Sequence, residues 1–375
     1  MVLARIDGAP EGSRGISLFL VPKFNFDDDG SLTGRNGVVT GSIEHKMGIK
    51  GSATCVLNFD SAKGYLLGQE NRGLPAMFKM MNLERITVGI QGLGFAEVAY
   101  QNALAYAQER SQSKAPPPRP DDSKASDPII YQPDIRRKLL TMRSQIEGCR
   151  ALAVLTGTQA DISESAADDE ARTAAGELVA LLTPVVKSFF SDLGLESAIE
   201  GQQVYGGHGY IREHGMEQLV RDSRIAQIYE GTNEVQAADL VMRKLPMKDG
   251  AVVNRFFDEL EARLPEDNTG TAAKAALDQL RETTDWISEK AGSDRAIAAG
   301  AATLYQRMFG LCVIGCLWAD IAGAITGKEG RFYATKRQMA RFYMENVLPE
   351  AHSLSTVIVD GAESLSDFDG EGFES

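Results

Sequence analysis

The spacing of apolar residues changes period once along this chain, near Gly73, and that change limits what it can fold into. Before it the pattern predicts strands. Gly15 to Pro22 reads GISLFLVP, apolar on both alternating faces. Thr54 to Asp60 reads TCVLNFD, which puts Cys55, Leu57 and Phe59 on one side and Val56 and Asn58 on the other. Asp28, Asp29 and Gly30 mark a turn between the two runs. Strand content then stops. Ile86, Ile90, Leu93, Tyr100 and Leu104 recur on one helical face. Gly89, Gly92 and Gly94 interrupt it, each costing roughly 1 kcal/mol against alanine. Close packing against another backbone is the expected compensation.

Ser111 to Pro128, SQSKAPPPRPDDSKASDP, reads as a surface loop because helical spacing resumes directly after it. Pro133 and Asp134 start the next helix. Another runs from Glu170 to Gly194, with a kink expected at Pro184. A helix should end at Gly206-Gly207, and a short one should follow Thr232 and reach about Arg243. Residues 250–364 predict four more helical stretches, with breaks at Asp267 to Gly270, Gly292 to Asp294 and Gly327 to Gly330. The acidic end, Ser366 to Ser375, is expected to fray. The reading is a mainly α chain: a partial β-domain over residues 1–70, a four-helix bundle over 71–248 and a further helical domain over 249–375.

A formal net charge of −13 and a pI near 4.9 argue against a nucleic-acid partner, which needs a basic face. Cys55, Cys149, Cys312 and Cys316 include no CxxC pair and lack the ligand spacing of zinc. Cys312 and Cys316 should share one buried helix face. This usage fits a reducing compartment, hence a cytoplasmic location without disulfides. No signal peptide is visible. The run LCVIGCLWADIAGAI from Leu311 is short for a bilayer and carries Asp320, so a buried helix is expected and no transmembrane segment.

Two adjacent stretches carry chemistry: QVYGGHGYIREHGMEQLVRDSR from Gln203 to Arg224, and IAQIYEGTNEVQ from Ile225 to Gln236. By spacing alone, Glu230 reads as an exposed loop glutamate at the turn before a helix. Beside Ile228 and Tyr229 it would be partly buried, which raises a carboxylate pKa and suits a base. Neither GLGFAE nor GGHGYIR completes GxGxxG, so no Rossmann fingerprint is present. His208 and His214 have no partners in a triad pattern.

With Arg14 to Phe24, His45 to Cys55, Gly68 to Ile86, Tyr106 to Gln112 and Leu182 to Leu245, these stretches resemble acyl-CoA dehydrogenases, in that family's order. The resemblance implies FAD-dependent α,β-desaturation of an acyl-CoA thioester. Glu230 would take the pro-R α-proton while a β-hydride goes to flavin N5. The Glu230 N–H and a ribityl hydroxyl would hold the thioester oxygen. Arg85, Asn82 and Gly231 would lie on the substrate side; the plainer role for Arg85 is a salt bridge one helical turn away. Arg110 would reach the FAD pyrophosphate of a neighbouring subunit, helped by Gln112. Ser113-Lys114 and the proline run depart from the family here. Gln203, Gly206 and Gly207 match its QxxGGxGY stretch and would meet the FAD, though Gly206-Gly207 also reads as a helix cap. Thr232 would cap the next helix and contact FAD, with Glu234 beside it.

The resemblance further implies a homo-oligomer, dimer or tetramer, and electron-transfer flavoprotein as acceptor. The residues from about Val252 and the stretch DPIIYQPDIRR are similar to longer members that take short or thioether acyl-CoA such as 3-methylmercaptopropionyl-CoA. The match starts inside the family's middle β-domain, without its TEPxxGSD-like stretch, so exposed sheet edges and an incomplete FAD pocket are expected. The competing expectations are an oxidase that passes electrons to oxygen, and a non-catalytic helical oligomerisation fragment.

Overall fold

The computed structural model describes residues 1–366. It divides into two compact units, Met1–Glu84 and Arg85 onward.

The first unit holds seven short strands. β1 (Val2–Arg5), β2 (Ile16–Leu20) and β7 (Tyr65–Leu67) form an antiparallel sheet in the order β1-β2-β7. Leu18 lies between Leu3 and Leu67 in register and is buried. β3 (Phe24–Phe26) pairs with β4 (Leu32–Arg35), with Gly30 at φ +83° in their turn, and β5 (Val38–Ile43) pairs with β6 (Cys55–Phe59). Buried Asn36 ties the strand ends: its amide donates to the carbonyls of Pro22 and Lys63, and its Oδ1 accepts from the Lys63 N–H at 2.8 Å. The alternation in Thr54 to Asp60 does not separate a dry face from a wet one, since Val56, Leu57 and Phe59 are all exposed. Five of the seven strands lie outside the two apolar runs; at three to six residues they are too short to show a period.

α1 (Gly73–Glu109) crosses the division between the units. In the second unit its buried stripe is Val88, Gly89, Gly92, Leu93, Ala96, Ala99, Ala103 and Ala107. Of the large apolar residues predicted to define that face only Leu93 is buried; Ile86, Tyr100 and Leu104 are half-buried and Ile90 is 43% exposed. Small side chains are buried because α1 crosses α3 (Asp169–Tyr205) at van der Waals contact. A Cβ on Gly89 would lie 2.6 Å from the Val186 carbonyl oxygen, and one on Gly92 2.4 Å from that of Phe190. Gly194 faces Gly92 from the other side, 2.7 Å from its carbonyl oxygen by the same construction. Gly94 has open space and no packing reason.

α2 (Pro133–Ser165) begins with Pro133 at the first helical position and Asp134 in the first turn. It packs along α3, whose first turn Asp168 caps by accepting from the N–H groups of Glu170 and Ala171. α3 continues through Pro184 without interruption. Gln306 donates to the Pro184 carbonyl at 2.9 Å. The loop from Ser111 to Pro128 is anchored by Asp127, which accepts from Arg119 Nε at 2.9 Å and from the Ala115 N–H at 2.8 Å.

Beyond Pro246 the chain forms α6 (Ala251–Glu261), α7 (Asn268–Ser293), α8 (Arg295–Ala324), α9 (Arg331–Asn346), α10 (Glu350–Asp360) and α11 (Ala362–Ser366), the intervening α4 and α5 belonging to the site below. That exceeds the four stretches expected; the break at Val347 to Pro349 carries no glycine and was not legible. The acidic end beyond Ser366 lies outside the described residues. One hydrophobic core runs from Leu93 to Ile358. α8 is its axis: Trp318 is buried and donates to the Ser144 carbonyl of α2, and Gly310 admits the Phe189 ring of α3. At 30 residues, α8 is longer than the apolar run suggested. It and the helix from Asp169 are long and apolar enough to cross a bilayer, but 72% and 78% of their most apolar windows are buried inside the protein.

The glycine crossing generates a paired prediction. Gly92→Ala should lower unfolding stability by about 1–3 kcal/mol through overpacking. Gly94→Ala should raise it by roughly 1 kcal/mol through helix propensity alone. Urea denaturation of both variants checks the pair; equal effects would remove the contact between α1 and α3 as the reason.

Candidate active site

α3 ends where the sequence predicts, at Gly206, whose φ of +57° lets its N–H turn back to the Gln203 carbonyl. The chain then makes single 3-10 turns at Gly206–Tyr210 and Arg212–His214, a short α4 (Met216–Ser223), and another 3-10 turn at Arg224–Gln227. α5 (Asn233–Asp239) follows, leading into a π-helical turn, Leu240–Lys244. Glu230 lies in the gap before α5.

Glu230 is half-buried and has φ +56°, left-handed backbone that costs a non-glycine residue about 1–2 kcal/mol. Gly231 follows at φ +84°. The conformation is held from behind: the Glu230 carbonyl accepts from Arg85 Nε at 3.3 Å and from Gln236 Nε2 at 3.2 Å. A side chain at position 231 would be strained by the left-handed backbone, and its Cβ, 2.6 Å from Gln236 Nε2, would push on the amide that holds the Glu230 carbonyl. Thr232 caps α5 by accepting from the Val235 N–H at 3.4 Å. Its hydroxyl also holds the exposed Glu234 carboxyl below the usual range. Tyr229 donates its hydroxyl to Gln91 on α1. Two adjacent left-handed residues with their carbonyl tied back present a carboxylate on a fixed, partly sheltered turn. Strain of this kind is characteristic of functional sites.

Beneath the turn is a buried polar group that the sequence reading did not single out. Lys187 and Asn233 are almost fully buried, and the Lys187 ammonium donates to Asn233 Oδ1 at 2.8 Å. Asn233 Nδ2 donates to Asp192 Oδ1 at 2.7 Å, and Gln227 Nε2 donates to the same oxygen at 2.6 Å. Burial pulls Lys187 down to about 8 against the attraction of Asp192, and pushes the Asp192 carboxyl upward. A lysine inside the apolar run LVALLTPVVKSFF was the available signal.

The remaining candidates divide between two places. Arg110, Gln112, Gly206 and Gly207 line one open groove of about 280 Å³ together with Tyr106, Tyr205 and His208. Tyr106 stacks on Tyr205 with ring centroids 4.1 Å apart, and its hydroxyl meets His208 Nδ1 at 2.9 Å. His208 and His214, which lack a triad pattern, lie against each other at 4.8 Å. Gln203 is exposed one turn before Gly206. Asn82 is exposed on the part of α1 that belongs to the first unit. Arg85 reaches away from its own helix and donates its Nε to the Glu230 carbonyl.

Comparison with known proteins follows the same residues. Residues 71–245 match the family described as acyl-CoA dehydrogenase, C-terminal domain, and residues 253–369 match the one described as acetyl-CoA dehydrogenase C-terminal like. A 3-methylmercaptopropionyl-CoA dehydrogenase of Ruegeria pomeroyi is 39% identical over 97% of this chain and 64% of its own length. A butyryl-CoA dehydrogenase of Syntrophomonas wolfei is 34% identical over 93% of this chain and 61% of its own. The chain thus spans less than two thirds of these relatives. In fold it is similar to an acyl-CoA dehydrogenase complexed with FAD from Bacillus anthracis, with a TM-score of 0.76 at 21% identity, covering 99% of this chain and 61% of that one. The chain therefore belongs to the acyl-CoA dehydrogenase family, through the two C-terminal helical domains that fill most of its length.

Proposed function

We propose that this chain supplies the base and the helical part of the site for FAD-dependent α,β-desaturation of an acyl-CoA thioester, with Glu230 as the base. The observation that carries the reading is the turn itself. Glu230 stands in left-handed backbone with its carbonyl clasped by Arg85 and Gln236, in a segment that lies within the match to the acyl-CoA dehydrogenase C-terminal domain and resembles the stretch that carries the family's base. In this reading the Glu230 carboxylate takes the α-proton, the α C–H bond breaks, and the carboxylate becomes a neutral acid. The Glu230 N–H is the group assigned to the thioester oxygen in this reading. Gly231, the next residue, is assigned to the substrate side. Arg85 and Asn82 are assigned to the substrate side.

The groove residues fit an FAD diphosphate. Arg110 offers an exposed guanidinium, and the backbone at Gly206 and Gly207 is open, with nothing within 4 Å of a Cβ built at either. Gln112, Gln203, Thr232 and Glu234 are the further cofactor contacts in this assignment. When bound, FAD supplies the acceptor for the β-hydride. Exposed groove residues and apolar strands support an oligomer, a dimer or tetramer of this chain. The name and 39% identity of the Ruegeria pomeroyi relative support a short or thioether acyl-CoA such as 3-methylmercaptopropionyl-CoA as substrate. Electron-transfer flavoprotein is the assigned acceptor, and oxygen consumption on adding substrate would assign an oxidase instead. Four free cysteines, three of them buried, support a reducing compartment such as the cytoplasm.

Loss of a positioned general base is worth about 10²–10⁴-fold in rate. Glu230→Gln should therefore lower desaturation of 3-methylmercaptopropionyl-CoA by that order while the flavin absorption bands of the purified protein stay unchanged. Turnover near the wild-type level would move the base elsewhere. Arg110→Ala should lower the amount of flavin that copurifies without changing the helical content by circular dichroism; unchanged flavin would remove Arg110 from the cofactor site.

A further inference from the structure

Catalysis from a strained turn needs something to hold the turn, and the Arg85 and Gln236 clasp secures only its carbonyl. The ends of the turn are held by a separate group on α3. Gln227, three residues before Glu230, and Asn233, three residues after it, both donate to Oδ1 of Asp192, at 2.6 and 2.7 Å. Asn233 has its amide committed to Asp192 and also donates to Ser191 Oγ at 3.1 Å, so its Oδ1 faces inward. That oxygen accepts from Lys187 at 2.8 Å and from Ser191 Oγ at 3.3 Å. Lys187, Ser191 and Asn233 are 0–5% exposed. A buried ammonium of this kind is expensive and is retained only where its partners are fixed.

We propose that Lys187 is a positioning residue for the Glu230 turn: through Asn233 it completes a Lys187–Asn233–Asp192–Gln227 clamp that fixes both ends of the segment carrying the base. This rests on the reading of Glu230 as the base. α3 is itself fixed by the crossing of Gly194 with Gly92 and by the burial of Leu181, Leu182, Val185, Val186, Phe189 and Phe190 around the lysine. The clamp therefore refers the turn to α3, a helix held by close backbone contact and burial. Lys187 does not reach the reacting atoms in this scheme; it acts through Asn233. Removing the ammonium leaves the Asn233 oxygen without its closest donor in a buried site. The Asn233 amide is then free to reorient, and the turn is left referred to Asp192 through Gln227 alone.

Hydrogen–deuterium exchange read by mass spectrometry tests the clamp without substrate or flavin. Lys187→Met should speed exchange of the amides from Tyr229 to Gln236 by about tenfold or more, while α7 and α8 stay at the wild-type rate. Lys187→Gln, which keeps a donor, should restore most of the protection. Asn233→Ala should loosen the same segment, and it decides the matter if Lys187→Met does not fold. In protein that turns over, the displaced base should lower kcat by about 10²-fold with KM little changed. Unchanged exchange of the segment in the folded variants, or loosening spread evenly over α7 and α8, would overturn the proposal. Wild-type protein without desaturase activity would instead overturn the assignment of Glu230 as the base, and the exchange measurement would still judge the clamp.

Discussion

The contact on which the site depends is the crossing of α1 and α3 at Gly89, Gly92 and Gly194. Three glycines bring two helix backbones together at distances that no Cβ tolerates. Interiors packed to crystal density transmit such a constraint, since neighbours have no free volume in which to relax. With the crossing fixed, Arg85 on α1 and Lys187 on α3 stand at set positions relative to the segment between Gln227 and Asn233. Both reach it, one from each helix. The left-handed Glu230 is then overdetermined: its carbonyl, its following glycine and both flanking amides each have one place to go.

The second unit spends an unusual amount of buried polarity on this arrangement. Lys187 and Ser191 sit in a stretch of α3 rich in leucine, valine and phenylalanine, with Asn233 of α5 and Asp192 joined to them. An all-apolar replacement would bury more hydrocarbon, but it could not specify which way the turn faces. The polar group has one satisfied hydrogen-bond pattern, whereas a hydrophobic contact has many nearly equal ones. The groove beside Arg110 is built differently. It is open, lined by stacked tyrosines and a histidine, and bounded by Gly206 and Gly207.

Much of this was legible before any coordinates. Pro133 with Asp134, Gly206 and Thr232 all mark helix ends where helix ends occur, because capping is local chemistry carried by one to four adjacent residues, whereas Gly194, read as a helix end, lies inside α3. The packing role of Gly89 and Gly92 was also legible, though Gly94, alike in sequence, has no neighbour at all. What failed were inferences that needed the partner. The apolar face read on α1 centred on large side chains, whereas the buried stripe is mostly glycine and alanine, with Val88 and Leu93, because of what crosses it. The break before α10 escaped notice because Val347, Leu348 and Pro349 look like core residues and two of them are.

The sequence alone determined the family, the order of strands before helices, the position of the helix caps and the identity of Glu230 as the residue to examine. These follow from local periodicity, from capping and from runs of residues that keep their order along the chain. Only the tertiary structure decided the left-handed state of Glu230, the clasp by Arg85 and Gln236, and the burial of Lys187 against Asn233. Those contacts join residues separated by 46 positions for Lys187 and Asn233 and by 145 for Arg85 and Glu230. No local preference encodes a pairing at that separation; it exists because two glycine-lined helices cross and leave the turn one place to lie.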